Sequence, residues 1–137
     1  MKKKHFTLWV IDDDMVSQFA IRYKIQQSIP NCQLIEFYSV EEALFALKKC
    51  SETETGLPDK ILLDPILPGM DGWSFLEEIE KIQLGFWPID IYVVSAFSNA
   101  EDRIRAKKNP LVKGHFSKPI NIGCVEKMFI QGPLTAI

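Results

Sequence analysis

Long apolar runs are missing from this sequence. The first, Phe6 to Ile11, is far too short to span a bilayer or to serve as a secretory signal. The basic Met1-Lys2-Lys3-Lys4 ahead of it reads as a solvated tail. An excess of one charge is missing too: 16 basic against 18 acidic residues leave a formal net charge of -2, so no field points to nucleic acid. Cysteine is scarce, with three residues, Cys32, Cys50 and Cys124, an odd number without metal-type spacing. They read as reduced, mostly buried thiols of a cytoplasmic protein. His5 and His115 have no metal partners by spacing. Repeats, low-complexity tracts and linkers are absent. The 137 residues are therefore expected to form one domain, with a core from about 6 to 130 and no room for an output or DNA-binding domain.

What is present alternates between two periodicities. Apolar strands are expected at Phe6 to Ile11, Cys32 to Tyr38, Lys60 to Asp64, Ile89 to Ser95 and Val112 to Ser117. Helices are expected between and after them. The first runs from Met15 to Ser28, with Phe19, Ile21, Ile25 and Ile29 apolar. The second follows the capping box Ser39 to Glu42 and runs to about Lys49, with Ala43, Leu44 and Leu47 inward. The third spans Gly72 to about Ile82, and the fourth, capped by Asn99, ends near Lys108. The last, capped by Asn121, reaches about Ile130. Five strand-helix pairs imply an α/β fold with a parallel sheet and helices on both faces. Trp9, Trp73 and Trp87 read as packing residues.

One stretch, Lys60 to Gly72, is denser in signals than the rest. Ile61, Leu62 and Leu63 read as a strand buried on both faces. Asp64 ends it, where open α/β sheets place their ligands. Pro65, Pro68, Gly69 and Asp71-Gly72 then impose a loop.

This stretch resembles the phosphoacceptor segment of bacterial response-regulator receiver domains. Asp12-Asp13 after the first strand, Ser95-Ala96 after the fourth and Lys118-Pro119 after the fifth extend the resemblance from about Phe6 to Phe129. It implies a doubly wound (βα)5 sandwich of flavodoxin-like type, strand order 2-1-3-4-5, and a cis bond before Pro119. It further implies that Asp64 accepts a phosphoryl group, and that Asp13, Asp64 and the Ile66 backbone carbonyl hold Mg²⁺. Asp12 would act on the metal directly or through water, and Lys118 and Ser95 would engage the phosphoryl group. The implied partners are a sensor histidine kinase or phosphotransfer protein, and a downstream protein on the face of the fourth helix, fifth strand and last helix. The implied location is cytoplasmic, off the membrane.

Each residue has a plainer role beside the functional one. Asp13 or Asp14 is expected to cap the first helix, and Asp71-Gly72 to serve the turn. Pro65 stands where an ordinary apolar residue is usual, and Ile66 where a polar one often is. His115 occupies the switch position, normally Tyr or Phe. Its reference pKa of ~6.5 leaves a pH-sensitive switch open. Ile66 and Phe97 would cover the phosphoryl group with apolar surface and slow its hydrolysis. Two other readings are weighed. One is a haloacid-dehalogenase-like phosphohydrolase using Asp12 and Asp14, which lacks an acidic motif after Lys118. The other is an interaction module whose acidic cluster does not turn over.

Overall fold

The computed structural model describes residues 6–82, 88–96 and 100–129. His5, Trp87, Phe97, Asn99 and Ile130 lie outside them. Five strands and five helices alternate: β1 (Phe6–Ile11), α1 (Met15–Ser28), β2 (Cys32–Phe37), α2 (Val40–Thr53), β3 (Lys60–Leu63), α3 (Gly72–Lys81), β4 (Asp90–Ser95), α4 (Ala100–Lys108), β5 (Val112–Ser117) and α5 (Ile122–Phe129). The strands form one parallel sheet in the order β2-β1-β3-β4-β5, as the resemblance implied.

Alternation along each strand sorts the core into two layers. Trp9, Ile11, Ile61, Leu63, Ile91 and Val93 point to the face covered by α2, α3 and Ala106 of α4. Leu8, Val10, Leu62, Tyr92 and Val94 point to the face covered by α1 and α5. The central strands are thus apolar on both sides, which explains the uninterrupted Ile61-Leu62-Leu63 run. Each such buried Leu or Ile contributes about 1.5–3 kcal/mol before chain entropy is charged against it.

Several local expectations are corrected. Phe19 is not an inward residue of α1 but is 61% exposed; Gln18, Ile21 and Ile25 face the sheet instead. Helix α2 runs past Lys49 to Thr53, because Glu54 takes the left-handed conformation (φ 57°) and its N–H returns to the Cys50 carbonyl. The three cysteines are half-buried, not buried.

The caps are carried by the side chains expected of such positions. Asp14 Oδ1 accepts from the Val16 N–H, Ser39 Oγ from Glu42, Asp71 Oδ1 from Ser74 and Asn121 Oδ1 from Cys124. Gly72 has a separate duty. A Cβ there would lie 2.7 Å from the Asp64 carbonyl oxygen and 2.7 Å from Pro65 Cα. The first turn of α3 is therefore pressed directly onto the backbone that follows β3, and the Gly72 N–H donates to the Pro65 carbonyl at 3.1 Å.

Candidate functional site

The register of the sheet builds the site. Ile11 of β1 pairs with Leu63 of β3, so the next residue of each strand leaves the sheet beside the other. Those residues are Asp12 and Asp64, and the Asp64 N–H donates to the Ile11 carbonyl at 3.0 Å. β1 has β2 on its other side, and the Asp12 N–H donates to the Phe37 carbonyl at 3.0 Å. This is the switch point of a doubly wound sheet, where chain crossovers diverge and leave a crevice. On the other flank Ser95 pairs with Ser117, and the Lys118 N–H donates to the Ser95 carbonyl at 2.9 Å. The Lys118-Pro119 bond is cis.

The carboxylates of Asp12, Asp13 and Asp64 offer oxygens that all lie within 4.8 Å of one another. Asp12 and Asp64 are buried, with 2% and 8% exposure, and Asp13 is exposed. The Lys118 ammonium lies between the two buried acids, 2.6 Å from Asp12 Oδ2 and 2.7 Å from Asp64 Oδ2. Burial alone would pull this ammonium's pKa down, but hydrogen bonds and charge from both acids outweigh it and raise the pKa. At Asp64 burial wins in the other direction. Its carboxyl is held above its ordinary range, even though Lys118 and the Ile66 N–H (2.8 Å to Oδ1) favour the charged form.

Asp12 is fully engaged by protein groups. Its Oδ1 accepts from the Asp14 N–H at 3.0 Å, and its Oδ2 accepts from Ser17 Oγ at 2.7 Å as well as from Lys118. Asp13 makes no hydrogen bond among the described residues. Ile66 is exposed, its N–H serving Asp64, while Phe97 falls outside the described residues, so the two cannot be placed together.

Ser95 lies 1% exposed at the end of β4, and its Oγ is 3.2 Å from His115 Nε2. His115 faces α4. Phe116 points to the opposite layer, where its ring packs on Tyr92, and so does not share that position. Burial lowers the His115 pKa, Asp102 raises it, and Arg103 lowers it further, for a net decrease. A histidine whose folded pKa lies below its unfolded value of 6.5 contributes stability that is complete above that value and lost as pH falls through the folded pKa. Chemical denaturation at pH 7 and pH 5.5 is expected to show a smaller loss of stability on acidification in His115→Phe than in wild type. Equal losses would mean that His115 does not titrate against the fold in this range.

Gln18 was not singled out by its sequence context. Its Nε2 donates to three backbone carbonyls, of Val10 (3.1 Å), Asp12 (3.1 Å) and Phe37 (3.0 Å), and the residue is 1% exposed. It clamps the ends of β1 and β2 from below and fixes the backbone from which Asp12 projects. Ser17, with its hydroxyl on Asp12, was missed as well. The signal available was their place on the first turns of α1, five and six residues after Asp12.

A family model described as the response regulator receiver domain matches residues 8–129. The cyclic di-GMP phosphodiesterase response regulator RpfG of Xanthomonas campestris pv. campestris (strain 8004) is 32% identical over 73 residues. That match covers 53% of this chain but only 18% of the relative's length. Among solved structures, a two component response regulator from Cytophaga hutchinsonii superposes with a TM-score of 0.82 at 19% identity, covering 94% of this chain and 97% of that one. The Mn(2+)-bound form of response regulator Rcp1 gives 0.70 at 22% identity, covering 90% and 88%.

Proposed function

Since the chain belongs to the response regulator receiver family, we propose that it accepts a phosphoryl group on Asp64 from a sensor histidine kinase or phosphotransfer protein. It then reports that event through the face formed by α4, β5 and α5. The observation that carries this reading is the setting of Asp64. Its carboxylate ends the central strand, is held by the Ile66 N–H and the Lys118 ammonium, and has two further acids beside it.

The donor set is all oxygen and anionic, which suits a hard divalent cation such as Mg²⁺. Asp13, with no protein partner among the described residues, Asp64 and the Ile66 carbonyl would hold it. Asp12, both of whose oxygens already accept from protein donors, would orient the shell from behind. When bound, the metal supplies charge neutralisation for the incoming phosphoryl oxygens. The chain's own residues do the rest. Asp64 forms the new oxygen-phosphorus bond as the donor's bond to phosphorus breaks and the donor nitrogen keeps the electron pair. Lys118 moves its ammonium from the carboxylates towards the phosphoryl oxygens. Ser95 Oγ exchanges His115 for a phosphoryl oxygen, which frees the His115 ring to turn and changes the α4 side of β5.

The donor protein has a surface to meet at the rim. Met15, Val16 and Phe19 stand exposed on α1, beside a cavity of about 310 Å³ that Ser17, Ala96, Lys118 and Pro119 help to line. No helix among the described residues is long and apolar enough to cross a membrane, and the cytoplasm is the proposed location. The phosphohydrolase reading has no observation behind it: Asp14 is occupied as the cap of α1, and no acid beyond Lys118 joins the cluster among the described residues.

The test is phosphoryl incorporation from acetyl phosphate, followed by intact-mass spectrometry with and without Mg²⁺. One added phosphoryl, only with metal, is expected. Asp13→Asn is expected to weaken Mg²⁺ about tenfold or more, as loss of a charged ligand from a few-carboxylate site should. An unchanged affinity, read by tryptophan fluorescence from the buried Trp9, would remove Asp13 from the site. No incorporation under any condition would favour the interaction module.

A further inference from the structure

The chain carries more acid than base, yet one part of its surface reverses that sign. Residues 100–117, covering α4 and β5, hold Arg103, Arg105, Lys107, Lys108 and Lys113 against only Glu101 and Asp102. Arg105 is engaged elsewhere, with its guanidinium 4.6 Å from the centre of the Trp73 ring. Arg103, Lys107 and Lys113, with His115, converge on a trough of about 320 Å³ between α4 and β5. Its floor includes Ala106, which is 1% exposed, and the half-buried Val112. Neither Lys107 nor Lys113 has an ion-pair partner among the described residues, and both are exposed.

We propose that this trough binds a short acidic segment of a partner protein, with carboxylates meeting Lys107 and Lys113 around a small apolar side chain on the floor. The proposal rests on reading the α4–β5–α5 face as the output surface and states what kind of partner it takes. Charge complementarity is the first argument, since the exposed Lys107 and Lys113 stand on the rim within a locally basic stretch. Shape is the second. The trough holds a few side chains over an apolar floor, and among the described residues its lining includes no Phe, Tyr or Trp on which nucleic-acid bases would stack. His115 is the third argument. It lines the trough and also touches Ser95, so the occupant sits where phosphorylation at Asp64 is felt.

The experiment uses the whole protein, with and without beryllofluoride and Mg²⁺. The probe is a fluorescein-labelled peptide of Glu and Asp residues around one Leu, beside its Gln and Asn counterpart and an oligothymidylate of equal charge. Anisotropy should show the acidic peptide bound more tightly than the other two. The double variant Lys107→Glu/Lys113→Glu should weaken it at least about tenfold, the scale of two reversed rim charges. Lys24→Glu/Lys48→Glu, on α1 and α2, should leave it unchanged. Equal binding of the amide peptide, equal binding of the oligothymidylate, no binding, or no effect of the double variant each overturns the proposal. Acetyl phosphate labelling of the same samples separates the two readings. Label on Asp64 without peptide binding removes only the trough, whereas peptide binding without label removes only the phosphoacceptor.

Discussion

Replacing Asp64 by asparagine is expected to end phosphoryl incorporation and, at the same time, to raise the melting temperature. The first effect follows from chemistry. An amide has no carboxylate oxygen to form the mixed anhydride, so the mass increment seen with acetyl phosphate should fall below detection. The second follows from the site's electrostatics. Asp64 is 8% exposed, and burial holds its carboxyl above its ordinary value despite Lys118 and the Ile66 N–H. Its ionised form thus costs the folded state free energy at neutral pH. An acid whose folded pKa is raised contributes stability in acid that is lost as pH rises through the folded pKa. The advantage of asparagine should therefore be full at neutral pH and shrink as pH falls towards 3.8, the ordinary value for this group. A gain of about 1 kcal/mol, or roughly 3 °C, is the expected scale. Label retained in Asp64→Asn would move the nucleophile to another acid, with Asp12 the first to test. A fall in melting temperature would mean that the bond to Lys118 is worth more than the burial costs.

Gln18→Leu is expected to destabilise the fold strongly although it lies outside the acidic cluster. Leucine matches the amide in size and leaves no large void, but it removes the donor shared by the Val10, Asp12 and Phe37 carbonyls. Buried acceptors left without a donor cost about 1–3 kcal/mol each when no other partner reaches them. The Phe37 carbonyl keeps the Asp12 N–H, so the net loss is expected at about 2 kcal/mol, near 6 °C in melting temperature for a chain of this size. Phosphoryl incorporation should also slow, because the Asp12 backbone loses one of its restraints. Gln18→Asn separates the causes: it keeps the amide but shortens its reach, so part of the stability should return without full restoration of rate. A melting temperature within about 2 °C of wild type in Gln18→Leu would show that the clamp is dispensable.

The contrast between Asp64 and Gln18 marks where sequence reasoning reaches and where it stops. Asp64 stands out because Ile61, Leu62 and Leu63 run into it and two prolines and two glycines follow; each feature is local, and each has one physical reading. The alternation of strands and helices is legible for the same reason. Strand order is not, since periodicity is silent about which strands are neighbours, and only the resemblance supplied it. Gln18 is hidden because an amide within a helix ordinarily faces water. Its role depends on carbonyls nineteen and eight residues away that the fold brings beneath it. Phe19 misled for the complementary reason: an apolar residue next to Gln18 reads as core until the sheet fixes which side of α1 turns inward. The bridge from Lys118 to Asp12, 106 residues apart, belongs to the same class of long-range fact.

The close approach at Gly72 sets a tolerance for the whole front of the molecule. A methyl group at that position would overlap the Asp64 carbonyl and the Pro65 Cα, each at 2.7 Å, where the centres of non-bonded carbon and oxygen atoms normally stay well over 3 Å apart. The overlap has two ways out. Either α3 backs away from the sheet and loosens Trp73, Phe75 and Leu76, or the backbone after β3 shifts and carries the Asp64 carboxylate and the Ile66 N–H with it. Reactive geometry is sensitive to displacements of less than an ångström, so the second route would detune the chemistry without altering a single reacting group. The missing side chain at position 72 thus acts as a spacer of zero thickness: α3 is a ruler laid against the carboxylate proposed to take the phosphoryl group, and the spacing between them is part of the candidate site.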